Sequence, residues 1–142
     1  PLYGALGAVA TGAIVPPSIG ALCLLAIPAG AGLAIANAAA DATSDGEAGT
    51  RSIATALGPA RAWGLGAVAV GVTAVAAVAV LAAPPAGGTP GPALGAIGIA
   101  VVVAGLLLGR PGSARRTGLG WELQAVGLGI VAVAWVVARP LG

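Results

Sequence analysis

The sequence predicts an all-α fold: a polytopic bundle of transmembrane helices forming a single domain over residues 1–142. Three observations predict it. Of the 142 residues 58% are hydrophobic and only 7% charged; the apolar residues gather in long runs separated by turn-rich stretches; and Gly (25) and Pro (11) are abundant. A water-soluble domain of this size could not present such a mixture to solvent without aggregating. The lipid bilayer is therefore the expected solvent and partner, and in it backbone hydrogen bonds are forced inward, so Gly and Pro are tolerated within helices.

Five apolar segments follow from hydropathy and turn signals. The first, residues 2–15, is short for a span of roughly 20 residues and is ended by Pro16-Pro17, neither of which supplies an N–H. No basic stretch and small-residue cleavage pattern opens the chain, so this run reads as part of the mature fold. A chain without Met that starts one residue before a hydrophobic segment reads as a piece of something longer. The second segment, 19–40, contains the lone Cys23, expected to be a small packing residue. A polar stretch from Asp41 to Arg61 leads to the third segment, 60–83. An uncharged loop, Pro-Pro-Ala-Gly-Gly-Thr-Pro-Gly-Pro over residues 84–92, connects it to the fourth, 93–109. The loop from Arg110 to Thr117 precedes the fifth, 120–138.

With five spans the two charged loops fall on one side. Together they hold Arg51, Arg61, Arg110, Arg115 and Arg116, against Arg139 alone opposite, and the positive-inside rule puts both loops in the cytoplasm of an inner or plasma membrane. Trp63 and Trp121 are expected at the cytoplasmic headgroup level and Trp135 near the opposite one. Arg110, Arg115 and Arg116 are expected to fix topology and face headgroups. Glu122 is expected at the interface and Gln124 in a hydrogen bond between helices. Small residues at Gly30 and Gly32, Gly91 and Gly95, and Gly105 and Gly109 predict helices packed by close backbone approach.

Composition also excludes classes. Six basic residues, all Arg and dispersed, with one Tyr and no Phe, offer neither a basic surface nor a stacking platform for nucleic acid. A single Cys and no His exclude an intrachain disulfide and a Cys/His zinc cluster.

One stretch carries chemistry. Three of the four acidic residues, Asp41, Asp45 and Glu47, lie just past the second segment. If the helix continues through it, Asn37, Asp41 and Asp45 recur every four residues on one face. Two carboxylates at that spacing repel, and at a helix carboxyl terminus they oppose the macrodipole, each effect costing roughly a few tenths of a kcal/mol or more. Mg2+ removes both penalties, since it accepts one or two carboxylates with water and phosphate oxygens at its other positions. Arg51 follows at a distance where it could meet a phosphate charge to charge. The plainer reading makes Ser44-x-x-Glu47 a capping box and leaves the two Asp solvated.

The string Asp41-Ala-Thr-Ser-Asp45-Gly-Glu-Ala-Gly49-Thr-Arg51-Ser52, continuing to Leu57-Gly58, resembles the second aspartate-rich motif of the UbiA prenyltransferase superfamily. There DxxxD is followed by Gly, a basic residue, Ser or Thr, and a short helix ending in Leu-Gly. The five spans resemble helices 5–9 of that family's nine-helix bundle. The resemblance implies a Mg2+-dependent intramembrane prenyltransferase moving an isoprenyl group from a prenyl diphosphate to an aromatic or other lipid-soluble acceptor. Asp41 and Asp45 would be the catalytic metal ligands, and Arg51, Asn37 and Ser52 would bind the diphosphate. Two departures stand out: Ala38 occupies a place where many members have Asp, and the first motif, NDxxD, is absent from these 142 residues. The expected partner is therefore a missing amino-terminal half carrying that motif, without which the chain alone is expected to be inactive. A CDP-alcohol phosphotransferase needs a later Asp pair, and no Asp follows Asp45. The alternative from another class is a non-catalytic membrane scaffold or transporter subunit with an acidic cytoplasmic docking loop. Coupled ion transport is disfavoured because no ionisable residue lies near the centre of a segment.

Overall fold

The computed structural model describes Gly12, residues 17–81 and residues 90–138, and all regular structure among them is helical. The elements are α1 (Pro17–Glu47), α2 (Ile53–Leu57), α3 (Pro59–Leu81), α4 (Gly91–Leu108) and α5 (Ala114–Ala138). Four helices are long and apolar enough to cross a membrane, over Ile19–Ala42, Pro59–Ala79, Gly91–Leu108 and Ala114–Ala138. The protein is thus an all-helical integral membrane protein with four candidate spans. Apart from Gly12, the expected span over residues 2–15 lies outside the described residues, as do most of the connector before α4 and Arg139.

Two boundaries differ from expectation. Instead of stopping near residue 40, α1 runs to Glu47, about 46 Å at 1.5 Å per residue, which carries its end past the hydrocarbon layer. Pro17 opens it where a missing N–H costs nothing. The last helix starts at Ala114, six residues before the expected segment, so Arg115, Arg116 and Thr117 lie in its first turn and not in a loop. Both the backbone N–H and the hydroxyl of Thr117 donate to Ser113 O, at 3.0 and 3.1 Å, closing that turn.

The helices pair as two antiparallel hairpins. Along the α4–α5 seam the buried positions are Gly91, Gly95, Gly98, Val102 and Gly105 on one helix and Thr117, Gly120, Gln124, Gly127, Val131, Ala134 and Ala138 on the other, with Trp135 buried beside the seam toward α1 and α3. These alternate by threes and fours, the spacing of a left-handed two-helix seam. Small residues occupy every seventh place on both sides, at 91, 98 and 105 and at 120, 127 and 134. Backbone meets backbone there: a β-carbon on Gly98 would lie 2.9 Å from Gly127 O, and one on Gly127 2.7 Å from Gly98 O. Since lipid tails are as apolar as the helices, close van der Waals contact of this kind drives association. The α1–α3 pair uses the same device more sparingly. A β-carbon on Gly32 would lie 2.7 Å from Val70 Cγ2, and one on Gly66 3.2 Å from Gly32 O. Gly30, expected to share this role, has no neighbour within 4 Å among the described residues.

Burial bears on the remaining expectations. Trp135, expected at the headgroup level, is only 3% exposed, because it adjoins Val131 and Ala134 on the buried stripe of α5. Gln124, 2% exposed, sits against Gly105 and Gly109 of α4, and its Oε1 has no hydrogen-bond partner among the described residues. Glu122 is exposed and Trp121 half-buried. Cys23 is half-buried and free.

Candidate functional site

The stretch that follows the second predicted segment is ordered by local backbone chemistry. Gly49 stands at φ +67°, the left-handed region open to glycine. Its N–H donates to Gly46 O at 3.3 Å while the N–H of Thr50 donates to Asp45 O at 2.8 Å. This pair of bonds is a Schellman motif, which satisfies the last carbonyls of α1 and turns the chain. Two residues later Ser52 caps α2: its Oγ accepts from Thr55 N at 3.3 Å, and Thr55 Oγ1 accepts from Ser52 N at 2.8 Å. The capping box of this region is therefore Ser52-x-x-Thr55. Ser44-x-x-Glu47 does not form one, because Ser44 lies inside α1 and its hydroxyl donates back to Asp41 O at 2.9 Å. Gly58, at φ +81° and ψ 151°, is the pivot between α2 and α3, donating to Ala54 O and accepting from Ala62 N. Ala54, fully buried against Ala39 and Ala62, holds the short helix down on the hairpin.

These roles account for Gly49, Ser52 and Gly58 of the string. They leave Asn37, Asp41, Asp45 and Arg51. The helix does continue, so Asn37, Asp41 and Asp45 recur at intervals of four along α1. Asn37 and Asp41 are exposed, Asp45 is half-buried, and Arg51 is exposed in the turn. No hydrogen bond or ion pair joins Arg51 to either carboxylate among the described residues. Nor do three His, Cys, Asp or Glu side chains gather as a metal-binding group among them, so the two aspartates stand as a pair.

A cavity of about 370 Å³ lies at this end of the bundle. Its walls come from α1 (Ala39, Ala42, Gly46), from α2 and the start of α3 (Ala54, Gly58, Trp63), and from Pro111–Ala114 and Thr117. The two charged stretches thus share one end of the molecule. Arg110 adds to this union by stacking over the Trp63 ring, 5.9 Å from its centroid, a cation–π contact that the sequence did not announce. Asp41 and Asp45 do not line the cavity. With Ala39, Ala42 and Gly46 facing it, helical geometry puts Asn37 and Asp41 on the other side of α1. That side, with Leu24, Ile27, Gly30 and Ala34, is exposed along the helix, and α1 is the least buried of the four spans.

Charge placement at this end is unusual in both directions. Asp45 and Glu47 lie in the last turn of α1, with Asp41 one turn further in, and Arg115 and Arg116 lie in the first turn of α5. Each of the four charges in these end turns opposes the local macrodipole, at roughly 0.3–1 kcal/mol apiece. Helix stability does not explain them.

No family model, curated protein or solved structure matches this chain.

Proposed function

We propose that this chain is part of a Mg2+-dependent intramembrane prenyltransferase of the UbiA type, transferring an isoprenyl group from a prenyl diphosphate to a lipid-soluble acceptor. One observation carries the reading. Within the Asp41–Gly58 string Gly49, Ser52 and Gly58 have backbone roles, while Asp41, Asp45 and Arg51 have no side-chain partner among the described residues, and the two acids stand at a mutually repulsive spacing of four on α1. Residues that are costly locally and unpaired are suited to a ligand.

The carboxylate pair fits Mg2+, which takes one or two protein carboxylates and fills its remaining positions with water and phosphate oxygens. Asp41 and Asp45 would hold it, and Arg51 would meet the diphosphate. Bound there, the ion would neutralise charge developing on the departing diphosphate. The allylic C–O bond breaks, the acceptor supplies the electron pair to the prenyl carbon, and the acceptor loses a proton. Asn37 and Asp41 open onto the uncovered side of α1. A second acidic motif, in a segment packed on that side, would complete the metal site. On this reading the stretches Asp41–Arg61 and Arg110–Thr117 face the cytoplasm.

The test is Mn2+ binding followed by electron paramagnetic resonance in the full-length protein, with and without geranylgeranyl diphosphate. The expected result is tight binding that needs the diphosphate and is lost in Asp41→Ala and in Asp45→Ala. Unchanged binding in both variants removes the reading.

A second reading is favoured by the absence of both carboxylates from the rim cavity: a non-catalytic subunit whose acidic turn docks a basic partner. It predicts metal-independent capture of that partner, weakened by salt.

A further inference from the structure

At the charged end of the bundle α5 outruns its partner. With 18 residues α4 is about 27 Å long at 1.5 Å per residue, close to the roughly 30 Å of a bilayer's hydrocarbon layer. Its end at Leu108 therefore marks where that layer gives way to headgroups. Gly109, which caps α4, lies against Gly120 of α5, so residues 114–119 project about 9 Å beyond that level. The headgroup layer on each side is roughly 5–8 Å deep, and Arg115 and Arg116 stand within it. Arg110, two residues past the end of α4, stands there as well. Three guanidinium groups thus share phosphate depth, and no acidic side chain pairs with any of them among the described residues.

Arg110 is held in place, its guanidinium over the Trp63 ring. Stacking occupies one face of that planar group and leaves the N–H donors, which lie in the plane, free for phosphate oxygens. Arg115 and Arg116 are exposed and oppose the α5 dipole. A bound anion reverses that penalty, since the first N–H groups of a helix have no intrahelical acceptor and attract it together with the arginines. Position makes the anion a lipid's. Below Arg115 the same side of α5 carries Leu119, 43% exposed, and Val126, 57% exposed, a surface for an acyl chain. Glu122, exposed between them, lies about 10 Å deeper than Arg115, and its charge keeps a phosphate up at the level of the arginines. A choline headgroup brings a further cation among three, whereas a glycerol headgroup brings none.

We propose that the α4–α5 turn and the first turn of α5 hold the phosphate of an anionic phospholipid on Arg110, Arg115 and Arg116, with an acyl chain along Leu119 and Val126. This inference rests on the membrane spans and not on the prenyltransferase reading.

The experiment dopes detergent micelles of the full-length protein with equal amounts of dioleoyl phosphatidylglycerol and dioleoyl phosphatidylcholine and counts the lipids that stay bound by native mass spectrometry. Phosphatidylglycerol is expected to be retained about tenfold or more over phosphatidylcholine. Arg110→Gln, Arg115→Gln and Arg116→Gln are each expected to cut that preference about fivefold. Arg51→Gln, an equal change of charge on the α1–α2 turn, is expected to leave it in place. Removing an arginine from the first turn of α5 relieves the dipole, so the thermal midpoints of Arg115→Gln and Arg116→Gln are expected to hold or rise, which separates lost binding from a lost fold. Inorganic phosphate in millimolar excess is expected not to displace the lipid. The proposal is overturned by equal retention of the two lipids, by a preference that survives all three substitutions, by an equal loss in Arg51→Gln, or by displacement with inorganic phosphate.

Discussion

Gly105 and Gly120 approach so closely that a β-carbon on Gly105 would lie 2.7 Å from Gly120 O, and one on Gly120 2.8 Å from Gly105 O. The atoms in the way are backbone, which cannot yield as a flexible side chain would. Gly105→Ala is therefore expected to force α4 and α5 apart and destabilise the protein by about 1–3 kcal/mol. Gly129, with nothing within 4 Å, serves as the control, and Gly129→Ala is expected to be neutral or slightly stabilising. Thermal unfolding in one detergent checks both; equal midpoints would contradict the described seam.

Asp45 works against the α1 dipole, and Asp41 and Asp45 repel each other across one turn. Replacing either with Asn is expected to leave stability unchanged or raise it by up to about 1 kcal/mol, while metal binding falls at least tenfold. A loss of thermal stability in Asp41→Asn would show that the carboxylate has a structural partner.

Gly49 and Gly58 both have positive φ but differ in ψ, and Asn separates them. Gly49 sits in a Schellman turn, where Asn is the usual second choice, so Gly49→Asn is expected to be mild. Gly58, at φ +81° and ψ 151°, lies in a region essentially restricted to glycine. Gly58→Asn is expected to cost about 1–3 kcal/mol and to expose the Thr50–Pro59 turn to protease. Equal cleavage rates in the two variants would contradict the backbone assigned to this turn.

Ser52 is an N-cap, and Asp is an equally good one. Ser52→Asp is expected to keep the thermal midpoint, whereas Ser52→Ala lowers stability by about 1 kcal/mol. If Ser52 also touches a diphosphate, the Asp variant raises KM for the prenyl donor through charge repulsion, and an unchanged KM leaves the residue with its capping role alone.

Arg51→Cys and Arg115→Cys, in a Cys23→Ala background, are expected to react with a membrane-impermeant maleimide from the same face of sealed vesicles. Labelling from opposite faces would break the topology, since Arg110 stacked on Trp63 ties the two stretches to one end.

Four of the five expected spans were legible because hydropathy over some twenty residues is a long, redundant signal. Helix ends were less so. Extension of α1 through Ala38-Ala39-Ala40 to Glu47 rests on Ala propensity and on a Schellman turn at Gly49, both readable in principle but outweighed by the fall in hydropathy at Asp41. The start of α5 was missed for the same reason, because Arg115 and Arg116 looked like loop. The seven-residue recurrence of Gly and Ala on α4 and α5 is present in the sequence, but pairwise GxxxG spacing catches only part of it. The burial of Trp135 was not legible, because nearness to a segment's end says nothing about which side of the helix a neighbour covers. At the rim, the spacing of Asp41 and Asp45 fixed their common side of α1, but their separation from the cavity depends on where α2 and the α4–α5 turn pack, which no local signal encodes.

The glycine contacts lie within the α1–α3 and α4–α5 hairpins, and the hairpins meet one another mainly where α1 passes α5. Mechanical compliance is therefore unevenly distributed: each hairpin is a stiff plate, and the soft joint is the line between them. A sliding displacement along that joint would alter the room beside Trp135 while leaving the backbone contacts of Gly98 with Gly127 and of Gly32 with Gly66 intact.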